Sequence, residues 1–112
     1  MGKDSTLLKK DKYKSARGGY SRLFDICCRQ CGSIILLYQK DGPGNLRRLY
    51  IDRILEPNEL SKFQTLNIKD IPVLKCNKCN GLLGTPYIYK KEKRKAFRVR
   101  RDSVIKRLHR KI

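Results

Sequence analysis

The sequence predicts a small, mainly-β domain of hairpins with a short C-terminal helix and basic tails. Three observations lead there. A chain of 112 residues has room for one modest core. Its apolar segments are short, β-branched and bounded by Gly, Pro and Asn rather than spaced as long helices. Two Cys-x-x-Cys pairs, Cys28 with Cys31 and Cys76 with Cys79, lie within the same apolar region, where they can tie distant segments together.

Taken in order, residues 1–22 mix Lys, Arg, Ser, Gly and Tyr without a sustained apolar period, and read as a basic arm that is flexible when free. The domain is expected over residues 23–100. Ile34-Ile35-Leu36-Leu37-Tyr38 reads as a strand, Lys40 to Asn45 as a turn, and Arg48 to Ile54 as a second strand making a hairpin with the first. Glu56 to Phe63 suits one or two helical turns with Pro57 near the start. Ile71 to Lys75 is extended, and Tyr87-Ile88-Tyr89 belongs to a further strand. Phe97 and Val99 alternate with Arg98 and Arg100, which predicts a strand after a turn at Lys91 to Lys95. Val104, Leu108 and Ile112 repeat every four residues behind Ser103 as an N-cap, so residues 101–112 are expected to form a basic amphipathic helical tail.

The formal net charge is +18, and it is unevenly placed. Residues 90–112 carry twelve basic and two acidic side chains, residues 1–24 seven and two, and residues 25–89 nine and six. A net charge of about 2–8 suffices for the solubility of a small domain. The surplus points to a polyanion, since each neutralised phosphate releases condensed counterions. The phosphate-contacting candidates are Lys9, Lys10, Lys12, Lys14 and Arg17 in the first arm. In the last segment they are Lys90, Lys91, Lys93, Arg94, Lys95, Arg98, Arg100, Arg101, Lys106, Arg107, Arg110 and Lys111. Tyr13, Tyr20, Tyr87, Tyr89 and Phe97 lie among them and are candidates to stack on bases.

No run of about 18 apolar residues is present, so no membrane span is expected. The N-terminus lacks the apolar stretch of a secretory signal, and the five cysteines are an odd number. A reducing, cytoplasmic setting with metal thiolates is therefore expected rather than a disulfide framework.

Two thiolates two residues apart can reach one ion from a tight turn. Gly32 after Cys31, and Asn80-Gly81 after Cys79, supply residues that accept the left-handed backbone such a turn needs. The expected metal ligands are Cys28, Cys31, Cys76 and Cys79, with 44 residues between the pairs. Cys27 is set aside because Cys28 alone has the matching spacing, and His109 is expected at the surface. Four thiolates suit zinc, and iron uses the same set. They leave no open coordination position, so the ion is expected to be structural. A redox dithiol would sit in a βαβ pattern, which neither pair does.

Cys28-Arg29-Gln30-Cys31-Gly32 and Cys76-Asn77-Lys78-Cys79-Asn80-Gly81 resemble the two knuckles of the zinc-ribbon superfamily, in its rubredoxin-like and ribosomal forms. The likeness spans about residues 24–100 as architecture and the knuckles as motif. It implies a binding module rather than an enzyme. Joined to the charge, it leads to an RNA-binding, ribosome-associated protein as the expected function. The alternatives are DNA or transcription-associated binding, a protein-interaction adaptor whose basic ends meet an acidic partner, and association of the C-terminal helix with an anionic membrane.

Overall fold

The computed structural model describes residues 21–42 and 46–109. Among the described residues, eight strands form two antiparallel four-stranded sheets. In the first, in spatial order, lie β4 (Ile54–Glu56), β2 (Ile34–Asp41), β1 (Ser21–Cys28) and β8 (Val104–Leu108). In the second lie β3 (Arg48–Tyr50), β7 (Arg94–Val99), β6 (Leu82–Tyr89) and β5 (Leu74–Lys75). A four-residue helix, α1 (Asn58–Ser61), follows Pro57 and runs on into a 3-10 turn over Lys62–Thr65, as Pro57 near a helix start leads one to expect. Among the described residues no helix is long and apolar enough to cross a membrane.

Both sheets contribute to one core. Ile26, Leu36, Tyr38 and Ile54 enter from the first, and Leu49, Leu83 and Phe97 from the second, with Ile51 and Ile71 from the connections. The alternation read over β7 holds, with Phe97 fully buried and Arg98 and Arg100 exposed. Phe97 therefore packs in the core opposite Leu49 and is not available to stack on a base.

Two expectations about the elements are corrected. Arg48 to Ile54 does not continue as one strand against β2. A 3-10 turn at Ile51–Arg53 breaks it, so β3 pairs with β7 in one sheet and β4 with β2 in the other. The turn draws Arg53 inside, where its Nε donates to the Asp41 carboxylate at 2.8 Å. The Gln39 amide also donates to Asp41, and the Ser21 hydroxyl does so from β1.

The second correction is in the expected C-terminal helix, where Val104–Leu108 is a strand and residues 110–112 lie outside the described residues. β8 pairs antiparallel with β1 from Phe24 opposite Leu108 to Cys28 opposite Val104. A helix this short is marginal alone, whereas the free edge of β1 satisfies a whole strand of backbone groups. β-Branched Val104 and Ile105 favour the extended form. Ser103, expected as an N-cap, instead donates its hydroxyl to the Leu83 carbonyl at 3.0 Å.

Candidate metal centre and basic surface

Each Cys-x-x-Cys pair sits at the tip of a hairpin, the first between β1 and β2 and the second between β5 and β6. The two tips are built alike. The Cys28 N–H donates to the Ser33 carbonyl at 2.8 Å, and the Gly32 N–H returns to the Cys28 carbonyl at 2.8 Å. In the second, the Cys76 N–H donates to Gly81 and the Asn80 N–H to Cys76, both at 2.9 Å. The fifth residue of each knuckle is left-handed, with φ +79° at Gly32 and 65° at Asn80. This is the conformation for which Gly and Asn suit those places.

The tips face one another across the end of the core. The Sγ atoms of Cys28 and Cys79 are 3.6 Å apart, those of Cys31 and Cys76 are 3.5 Å apart, and all four lie within 4.8 Å of one another. A disulfide needs sulfurs about 2.05 Å apart, so these are thiols. Tetrahedral zinc with Zn–S of about 2.3 Å places its sulfurs about 3.8 Å from one another, close to the 3.5 and 3.6 Å of these two pairs. The Lys78 and Cys79 N–H groups point at the Cys76 sulfur at 3.4 and 3.5 Å, the donors a thiolate needs. Gly81 belongs here by close approach, since a Cβ on it would lie 3.4 Å from the Gln30 amide oxygen and 3.5 Å from the Cys79 sulfur.

The Ser33 hydroxyl holds the Cys31 thiol down at about 6. At Cys79 the Gly81 backbone favours the thiolate, but the adjoining sulfurs and burial outweigh it and push the thiol up to about 11. Four thiolates at this spacing repel one another unless a cation sits among them. The donor set thus fits a soft, tetrahedral divalent ion.

Cys27 is buried and outside the cluster, its Sγ 3.9 Å from the Asp25 carbonyl, and burial pushes its thiol up. His109 is also apart from the cluster, with Nδ1 2.9 Å from the Asp25 carboxylate.

Comparison with protein-family models, curated proteins and solved structures found no match. What the chain does must therefore be argued from its own atoms.

Of the expected phosphate contacts, Lys9, Lys10, Lys12, Lys14, Arg17, Arg110 and Lys111 lie outside the described residues, as do Tyr13 and Tyr20. Lys90, Lys91 and Lys93 are exposed on the turn between β6 and β7. Lys95 reaches back to donate to the Gln64 carbonyl at 2.8 Å. Arg98, Arg100, Arg101, Lys106 and Arg107 are exposed. Arg94 is a correction, because it is buried. Its guanidinium grips both Asp52 carboxylate oxygens, at 2.7 and 3.2 Å, and Glu92 at 2.9 Å, and lies 3.6 Å over the Tyr50 ring. It holds β7 to the turn after β3 and is withdrawn from the basic surface. Tyr87 and Tyr89 are half-buried beneath arginines of this chain, Arg98 at 4.3 Å and Arg48 at 3.9 Å. Sequence reasoning passed over Arg29 and Arg47, which are among the exposed cations outside the two basic ends. They sit in the segment whose formal charge is small, and only the pairing of its acids reveals them.

Proposed function

We propose that this chain is a non-enzymatic nucleic-acid-binding module, with RNA as its partner and ribosomal RNA as the first target to test. In this reading its two hairpin tips are zinc-ribbon knuckles holding one structural zinc ion through Cys28, Cys31, Cys76 and Cys79. Zinc would neutralise and orient the thiolates, and four protein ligands would leave no position for substrate.

The observation that carries the binding reading is where the carboxylates go. Asp41 is paired with Arg53, Asp52 and Glu92 with Arg94, and Asp25 with His109. Those acids are turned to partners of their own. Arg29, Arg47, Arg98, Arg100, Arg101 and Arg107 remain exposed, with no ion pair among the described residues. Such a surface attracts phosphate. A sequence-reading duplex binder would need an element to enter the major groove. The α-helix among the described residues has four residues, which favours RNA over that alternative.

The test is binding of zinc-loaded protein to a labelled RNA across a salt series, with metal content measured on the same sample. Affinity should fall steeply between 50 and 200 mM salt, by about 10³-fold if six phosphates are contacted. Affinity indifferent to salt, or no binding to RNA at low salt, rejects the reading.

A further inference from the structure

A cleft of about 840 Å³ opens where the two sheets meet beyond the end of β7. Its walls are cationic and come from four separate stretches of chain. Arg29 stands on the first knuckle, Arg47 just before β3, Arg98, Arg100 and Arg101 at the end of β7 and the turn after it, and Lys106 on β8. One carboxylate, Asp102, faces them. The lining is not polar throughout, since Val99, Val104 and Ile105 contribute apolar surface. A smaller cleft of about 350 Å³ shares Arg29, Arg100, Arg101 and Asp102 and continues to Cys28 and Gly81, so the channel runs up to the metal centre.

Backbone bonds hold the two walls in place. The Arg29 N–H donates to the Ser103 carbonyl at 3.0 Å, and the Arg100 N–H to the Leu83 carbonyl at 2.8 Å. The Val99 N–H donates to the Arg47 carbonyl at 3.1 Å. The first knuckle and the β7–β8 turn are thereby tied to each other on either side of the cleft.

Resting on the nucleic-acid reading above, we infer that this cleft is the site that holds a single-stranded nucleic acid, its phosphodiester backbone along the arginine walls and its bases against the apolar surface. A single phosphate group brings at most about two negative charges, fewer than the cations that line this cleft, of which Arg98 and Lys106 also lie over the Tyr87 and Phe24 rings. A strand brings one charge with each nucleotide it lays down. A duplex keeps its base faces stacked inside, whereas unpaired bases can cover Val99, Val104 and Ile105.

The test uses full-length, zinc-loaded protein and fluorescence anisotropy with a labelled twelve-nucleotide RNA, the DNA strand of the same sequence, and the RNA duplex. Two triple variants remove equal charge: Arg29→Gln/Arg47→Gln/Arg100→Gln in the cleft and Lys90→Gln/Lys91→Gln/Lys93→Gln on the β6–β7 turn. Zinc content verifies that both are folded. The single strands should bind more tightly than the duplex. The cleft variant should lower the slope of log affinity against log salt by about 2, as loss of three contacts at about 0.7 each requires, with the turn variant well below that. Asp102→Asn should tighten binding severalfold, since Asn also tolerates the φ of +59° at that position. RNA binding tighter than DNA would place the 2′-hydroxyl in the cleft, and equal binding would leave the backbone as the contact; either fits. Equal losses in the two triple variants, or a duplex bound as tightly as a strand, overturn the cleft while leaving a nucleic-acid-binding protein. Absence of binding to every probe removes the parent reading instead.

Discussion

Cys27 and Cys28 are chain neighbours in a strand, so their side chains leave on opposite sides, and spacing alone chose the one that meets Cys31, Cys76 and Cys79. Cys76→Ser is expected to lose stoichiometric metal and the folded state with it, while Cys27→Ser retains one metal per chain; elemental analysis with a thermal melt checks both. The Asp41–Arg53 pair was not legible, because nothing in a run of alternating charge says which arginine will be drawn inside. With Arg53 1% exposed, Asp41→Asn takes a carboxylate partner from a buried guanidinium and should destabilise the domain, read as a lowered denaturant midpoint. Arg94 was misread for the same reason. Its neighbours in sequence are lysines, and although Glu92 is close by, the acid it grips with two bonds, Asp52, is 42 residues away.

The strands were legible where a pattern of period two coincided with turn residues, as in β2 and β7. They were not legible where the partner lies far away in sequence. β8 carries an apolar spacing that suits a helix as well as a strand, and only the edge of β1, reached from the other end of the chain, decides between them. The close fit of β6 against β7 was equally invisible. A Cβ at Gly84 would lie 2.9 Å from the Arg98 carbonyl oxygen and 3.4 Å from the Phe97 Cβ. Gly84→Ala should therefore force these strands apart and cost about 1–3 kcal/mol, measured by urea denaturation with metal bound.

Across the whole molecule, the mainly-β character and the four-cysteine cluster follow from residue types and spacing, whereas the C-terminal helix does not. The division into two sheets does not, because it depends on one short turn at Ile51–Arg53. The first knuckle belongs to one sheet and the second to the other, so the ion we propose would join them. Chelation should then collapse both sheets together rather than loosen one tip. Far-UV circular dichroism should lose its strand signal on adding a strong zinc chelator and regain it on returning zinc, and an unchanged spectrum would show that the core holds alone.

Placing one ligand pair on each sheet also makes folding a mass-action equilibrium with the surroundings. An ion that binds the native chain and not the unfolded one adds about 1.4 kcal/mol of stability for every tenfold rise in its free concentration beyond the dissociation constant. With a core this small, the fraction of chains that are folded would then follow a titration curve in the free concentration of the proposed ion.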